Sequence, residues 1–130
     1  MHEIQLDRQA FLVSETDDQG FINFANDDFC QYSGYSLEEL IGKPHSIVRH
    51  PDMPARAFED LWASITAGKK WSGFVKNKAK DGGYYWVFTT VYPFVNCDKK
   101  QGFISCRRII SEQEKEKYEE VYKKMREGTN

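Results

Sequence analysis

The chain has 130 residues, of which 40% are hydrophobic and 29% charged, and its formal net charge is −2. This length and composition predict one globular domain, and the near balance of charge argues against a general nucleic-acid-binding protein. The three cysteines are widely spaced and form no CxxC pair, which fits a reducing compartment. No stretch has the pattern of a signal peptide or of a membrane-spanning helix. We therefore expect a cytoplasmic protein that does not insert into the membrane through this chain.

The first part of the chain predicts a β-hairpin. Residues 11–16 and 21–25 are rich in aromatic and β-branched side chains, as strands are. The four residues between them, Asp-Asp-Gln-Gly, are typical of a turn. Residues 1–10 have no clear pattern, and we interpret them as an N-terminal cap or arm.

Two short helices are predicted next from their capping residues. Asn26 can accept a hydrogen bond at the start of the first helix, and Gly34 can end it. Ser36 and Glu39 have the spacing of a capping box for the second helix. Asn26 is also a candidate ligand-binding residue, although its capping role competes with that function.

Residues 46–54 concentrate polar chemistry in a short loop. Arg49, His50 and Asp52 lie within four positions, and two prolines restrict the backbone around them. The guanidinium of Arg49 suits a planar or anionic partner. Asp52 could orient a neighbouring side chain or cap the helix that follows. The simpler alternative is a solvated loop in which Arg49 pairs with Asp52 or Glu59.

The second half of the chain predicts one long helix and three strands. The helix has an apolar stripe at helical spacing, formed by Phe58, Leu61, Trp62 and Ile65. The strand candidates are residues 71–80, 84–95 and 102–110. The first two are joined by Lys-Asp-Gly-Gly, a strong hairpin signal. Trp71 and Asn77 fall on the same face of the first of these strands.

Residues 111–130 predict a charged helix with one narrow apolar stripe. The stripe consists of Tyr118, Val121, Tyr122 and Met125. Such a helix must pack on its own sheet or on a partner to persist in water. The order of elements as a whole predicts an α+β fold over residues 11–110. We expect a five-stranded antiparallel sheet with short helices packed on one face, a hollow between them, and a C-terminal flanking helix.

Several strings of residues resemble a known family. Phe-Ala-Asn-Asp at residues 24–27 and Ser-Gly-Tyr-Ser-Leu-Glu-Glu-Leu-Ile-Gly at residues 33–42 resemble the first half of a sensory PAS domain. Arg-His-Pro-Asp-Met-Pro at residues 49–54, followed by Trp-Ser-Gly-Phe-Val-Lys-Asn at residues 71–77, is more particular. These two strings are similar to the FAD-binding PAS domain of bacterial aerotaxis (energy-taxis) receptors. The resemblance covers roughly residues 11–110.

This resemblance implies a redox, oxygen or energy sensor that binds FAD non-covalently. We do not expect an enzyme, because the sequence has no Ser/His/Asp order, no phosphate-binding loop and no metal-binding cluster. The positions of Arg49, His50 and Asp52 match residues needed for FAD binding in that family, and Trp71 and Asn77 match its flavin-pocket motif. The expected output is a signal of flavin redox state to a chemotaxis-type receptor or signalling chain. The expected assembly is a homodimer or a complex with such a receptor.

Residue chemistry alone leaves other readings open. Trp71 could stack on a flavin ring or belong to the core, and the amide of Asn77 could pair with the polar edge of a flavin. A light-sensing LOV domain would need a reactive cysteine, and residues 47–51 contain none. A haem-binding gas sensor with His45 or His50 as the iron ligand is one alternative. A cofactor-free PAS dimerisation or docking module is another.

Overall fold

The computed structural model of the chain describes residues 2–128. Met1, Thr129 and Asn130, the outermost residues of the predicted N-terminal arm and C-terminal helix, lie outside the described residues. The strands are β1 (Phe11–Asp17), β2 (Ile22–Ala25), β3 (Trp71–Lys78), β4 (Tyr84–Val95) and β5 (Gln101–Arg108). The helices are α1 (Asp27–Ser33), α2 (Leu37–Leu40), a 3₁₀ helix (His45–Val48), α3 (Ala55–Thr66) and α4 (Glu112–Arg126).

The strands form one antiparallel sheet in the order β2-β1-β5-β4-β3. The predicted five-stranded antiparallel sheet is therefore confirmed. Strand β5 ends at Arg108, two residues earlier than predicted, and the N-terminal arm pairs with the first residue of β4. The backbone N–H of Tyr84 donates to His2, and the carbonyl of Tyr84 accepts from Ile4.

The predicted capping residues start and end the short helices as expected. Asn26 Oδ1 accepts from the N–H of Phe29 at 3.0 Å, and Gly34 ends α1 with a φ of 81°, a conformation that favours glycine. Ser36 and Glu39 exchange both bonds of the capping box at the start of α2. These short helices then lead directly into the 3₁₀ helix, which was predicted as irregular loop.

Helices α1, α2 and α3 lie on one face of the sheet, here called the inner face, and α4 lies on the opposite, outer face. The largest fully buried side chains between the inner face and its helices include Leu12, Phe29, Leu40, Val48 and Tyr85. On the outer face the ring of Tyr118 stacks on Phe74 with centroids 4.2 Å apart. Tyr122 stacks on Trp86 and its hydroxyl donates to the carbonyl of Phe74. The apolar stripe of α4 thus packs on the sheet of its own chain.

Within residues 2–128, no helix is both long enough and apolar enough to span a lipid bilayer.

Candidate functional site

A cavity of about 230 Å³ lies between the inner face of the sheet and the helices that cover it. Its apolar walls come from α3, the 3₁₀ helix and the strands: Val48, Phe58, Leu61, Trp62, Ile65, Val75, Val91 and Phe103. Its polar lining consists of Thr16, Gln19, His45, Ser46, Arg49, Asn77, Thr89, Ser105 and Arg107. The predicted hollow is therefore present, and the stripe predicted on α3 forms one wall of it.

Arg49 lies at the mouth of the cavity. Its guanidinium carbon stands 3.7 Å from the ring centroid of Phe58, a cation–π contact across the opening. No ion pair joins Arg49 to a carboxylate within residues 2–128. The simpler interpretation of Arg49 as a salt-bridge partner of Asp52 or Glu59 is therefore wrong. Its side chain leaves several N–H donors for a ligand.

Asn77 and Thr89 bring unsatisfied polar atoms to the cavity. Both side chains are buried, at 4% exposure each. The Asn77 Nδ2 and Thr89 Oγ1 atoms make no hydrogen bond of good geometry among the described residues, although the Asn77 amide lies close enough to the Tyr85 hydroxyl to lower the pKa of that group, which burial raises. A buried polar group without a partner costs about 1–3 kcal/mol. The cavity is therefore suited to a ligand that offers hydrogen-bond acceptors to both atoms.

Arg107 of β5 places a buried cation beside the cavity. Its side chain is 2% exposed, and Nη2 donates to Ser14 Oγ at 3.0 Å and to His45 Nε2 at 2.8 Å. Burial lowers the pKa of Arg107 to about 10, so the guanidinium stays charged at neutral pH. Within the described residues no carboxylate pairs with it. The cavity thus has a positive wall without a counter-ion.

His45 is held in one neutral form by this arrangement. A guanidinium can only donate, so Nε2 of His45 accepts and its proton lies on Nδ1. Burial and the charge of Arg107 lower the pKa of His45 to about 3. The Nε2 lone pair is therefore engaged by Arg107 and Ser14.

His50 and Asp52 face away from the cavity. His50 is buried at 5% exposure beside the ring of Tyr84, and its Nδ1 accepts from the N–H of Asp52 at 3.0 Å. The carboxylate of Asp52 pairs with Lys76 Nζ at 3.0 Å, and this hydrogen bond lowers the pKa of Asp52. The prediction that Asp52 caps α3 is wrong, because Pro54 occupies the cap position without a side-chain bond. Neither His50 nor Asp52 is among the residues that line the cavity.

Trp71 and Asn26 also lie outside the cavity lining. The indole of Trp71 folds over Gly73, where an added Cβ would stand 2.5 Å from Cη2, and its Nε1 donates to Asp60 of α3 at 2.9 Å. The amide of Asn26 makes three hydrogen bonds to the backbone. It accepts from Val13 and Phe29 and donates to Phe11.

Of the six residues predicted for the site, Arg49 and Asn77 meet at the cavity, and an isolated antiparallel bridge joins their backbones. Sequence reasoning missed Arg107 and Thr89. The available signal was a polar side chain at an inward position of a strand, since Thr89 and Arg107 face each other in the β4–β5 register.

The sequence model of the PAS fold family matches residues 22–107. The chain is 46% identical over 117 residues to the aerotaxis receptor of Escherichia coli (strain K12). The matched region covers 90% of this chain and 23% of that receptor. The chain therefore spans about a quarter of the length of this relative.

Solved structures share the same fold. The PAS domain of a protein from Colwellia psychrerythraea is 26% identical, with a TM-score of 0.68 over 77% of this chain and 86% of that one. A light-oxygen-voltage domain studied with a flavin analogue is 19% identical, with a TM-score of 0.71 over 90% of this chain and 87% of that one. The element order, the antiparallel sheet and the family match agree, and the chain belongs to the PAS fold family.

Proposed function

We propose that this PAS domain binds FAD non-covalently and reports the redox state of the flavin to a chemotaxis-type receptor or another signalling chain in the cytoplasm. The observation that carries the proposal is the cavity, which combines apolar walls, two unsatisfied polar atoms and an unpaired buried cation. The similarity to an aerotaxis receptor and to a light-oxygen-voltage domain supports a flavin as the ligand.

The residues present fit a flavin ring. Asn77 Nδ2 needs an acceptor, which the carbonyl and nitrogen edge of a flavin would supply. Arg107 would favour negative charge on the ring, and the wall of α3 would cover its apolar part. When bound, the flavin supplies a group that can gain and lose electrons near neutral pH.

The size of the cavity indicates that it would enclose only part of an FAD molecule. Sites for drug-sized ligands measure about 300–1,000 Å³, whereas this cavity measures about 230 Å³. The ring would therefore lie inside and the dinucleotide chain would leave through the mouth. Arg49 stands at that mouth with free donors, which suits a diphosphate.

The remaining predicted residues would act on the ligand indirectly. His50 and Asp52 fix the loop that carries Arg49, and Trp71 ties α3 to β3 through Asp60. Asn26 ties α1 to β1. Their effect on FAD binding would then come through the shape of the cavity.

The two rival ligand states fit these contacts less well. A haem would need a free imidazole nitrogen in the cavity, but Nε2 of His45 is engaged and His50 does not line the cavity. A cofactor-free module would leave Asn77 Nδ2 and Thr89 Oγ1 with water as their hydrogen-bond partner, and it would leave the charge of Arg107 without a counter-ion.

The absorption spectrum of the purified protein tests the proposal. We expect flavin bands, and chromatography after denaturation should release FAD at close to one equivalent. Three results would contradict the proposal: a Soret band, the release of FMN, or a protein that has no visible absorption after incubation with FAD and removal of the unbound cofactor.

We further propose that the signal leaves through α4 and the N-terminal arm, towards a second copy of the chain or a receptor. The two segments already contact each other, since Lys115 of α4 pairs with Glu3 of the arm at 2.7 Å. Sedimentation at rising protein concentration tests self-association. A protein that stays monomeric over the whole range would leave a receptor as the partner of α4 and the N-terminal arm.

A further inference from the structure

Lys76 joins three elements on the outer face of the sheet. It lies on β3 and is 6% exposed, yet its Nζ is 3.0 Å from Asp52 Oδ2 and 3.1 Å from Glu119 Oε2. Asp52 belongs to the loop that carries Arg49, and Glu119 belongs to α4. We call Asp52, Lys76 and Glu119 the outer clamp.

The outer clamp is a tight electrostatic unit. Burial disfavours the charge on Lys76, but its hydrogen bonds to Asp52 and Glu119 outweigh this effect and raise its pKa. Only the ammonium of Lys76 is buried, whereas the carboxylates of Asp52 and Glu119 are 44% and 43% exposed, so the loss of both carboxylates would leave a buried charge without compensation. Two further bonds reinforce the unit, because Glu119 accepts from Trp86 Nε1 at 3.3 Å and Arg126 donates to the carbonyl of Asp52.

The outer clamp also touches the backbone that shapes the cavity. The next residue after Lys76 is Asn77, whose side chain faces the cavity and whose backbone bridges to Arg49. The N–H of Lys76 donates to the sulfur of Met53, in the same loop, at 3.3 Å. The loop between Arg49 and Met53 is therefore fixed to β3 on one side and to α4 on the other.

We propose that the outer clamp positions Arg49 at the cavity through α4, so that Glu119 and Asp52 control ligand affinity without touching the ligand. The part of the inference that concerns the ligand rests on the proposed function. The coupling between α4 and the loop does not, because its contacts are present without a ligand. By linkage, whatever the docked α4 adds to ligand affinity, the ligand adds to the docking of α4.

The first test uses hydrogen exchange of the unliganded full chain. Glu119→Gln removes one charge of the outer clamp and keeps the side-chain shape, and Glu120→Gln makes the same change at an exposed neighbouring position. We expect Glu119→Gln to speed exchange in α4 and also in residues 45–54, by at least about fivefold. The control should match the parent protein. Faster exchange in α4 alone, with residues 45–54 unchanged, would overturn the coupling.

The second test measures the dissociation constant of FAD in a double-mutant cycle of Asp52→Asn and Glu119→Gln. If both residues act through Lys76, the double variant should bind FAD about as weakly as the weaker single variant. Losses that multiply would mean that Asp52 and Glu119 act independently of each other, and would overturn their joint positioning role through Lys76. If no variant and no parent protein binds FAD, the proposed function fails, and the exchange experiment still decides the coupling.

Discussion

Lys76 and Asn77 are consecutive residues of β3 whose side chains serve opposite faces of the sheet. Asn77 Nδ2 faces the cavity, and Lys76 faces the outer side, where it pairs with Asp52 of the Arg49 loop and with Glu119 of α4. Because successive residues of a strand alternate between faces, one strand contacts both the candidate ligand site and the C-terminal helix. A structural change at Asn77 therefore has to pass along the backbone by only one residue to reach Lys76 and its contact with α4.

Arg49→Ala should weaken FAD binding while the protein stays folded. A hydrogen bond to a charged group contributes about 1.5–3 kcal/mol, so we expect a loss of affinity of roughly 10- to 100-fold. Arg49 is exposed, and its removal leaves the core unchanged. The ratio of FAD to protein after gel filtration, with circular dichroism for the fold, checks this. Arg56→Ala, at an exposed position of α3, is the control, and full FAD occupancy in Arg49→Ala would exclude a binding role.

Arg107→Met should separate stability from ligand binding. The variant removes a buried cation without a described counter-ion, and this gain offsets the lost bonds to Ser14 and His45. We expect the free energy of unfolding of the unliganded protein to change by less than about 1 kcal/mol. The affinity for FAD should fall by more than about tenfold. Urea unfolding and flavin titration measure the two quantities.

Arg108→Met is the matched control for that variant, because the next residue lies exposed on the outer face beside Phe88. It should leave FAD binding unchanged. A large loss of stability in Arg107→Met together with normal FAD binding would make Arg107 a structural residue only.

The fold was accessible from the sequence because its signals are local. The capping box of Ser36 and Glu39 and the hairpin glycines act through neighbours a few residues apart, and hydrophobic periodicity assigns the faces of α3. Family resemblance then placed Arg49 and Asn77 in one site.

The unpredicted part of the site depends on contacts between distant residues. Lys76 reads in the sequence as one of several solvated lysines of a strand, and it is buried because α4 lies over it, 43 residues away in the chain. Arg107 reads as half of an Arg-Arg pair, and although strand alternation gives it an inward position, only the pairing of β5 with β4 shows that this position faces the cavity. Asp52 has the chemistry of a helix cap, but in the structure its carboxylate pairs with Lys76 instead.

Trp71→Phe tests whether Trp71 acts by stacking on the flavin or by holding α3. The variant keeps an aromatic face but loses the N–H that donates to Asp60. Because the ring does not line the cavity, we expect Trp71→Phe and Asp60→Ala to weaken FAD retention alike, by about 1 kcal/mol. Trp71→Leu, which also removes the aromatic face, should then behave like Trp71→Phe. If only Trp71→Leu weakens retention or raises flavin emission, stacking is the correct explanation.

The stability of the unliganded protein should fall on acidification from pH 7.5 to 5. His45 has a pKa of about 3 in the folded protein and about 6.5 when unfolded, so only the unfolded chain binds its proton in this window. His45 alone then accounts for about 2 kcal/mol between the two pH values. His50, whose pKa burial and Lys76 also lower, acts in the same direction.

His45→Gln isolates this contribution, because a glutamine oxygen can still accept from Arg107. Urea unfolding of the parent protein and the variant at both pH values measures the difference. The variant should lose less stability on acidification than the parent protein. An equal loss in both would mean that His45 does not carry the pH dependence.

Reduction of bound flavin should change the hydrogen exchange of α4. A change of charge in the cavity would act first on Asn77 and Arg107, and β3 and the Arg49 loop both lead from there to Lys76 and Glu119. We expect the protection of residues 112–125 to differ between oxidised and dithionite-reduced protein. Dithionite treatment of Arg49→Ala protein without cofactor controls for effects of the reductant. Identical protection in the two states would make α4 a tether, and the output surface should then be sought on the uncovered outer face near Tyr92.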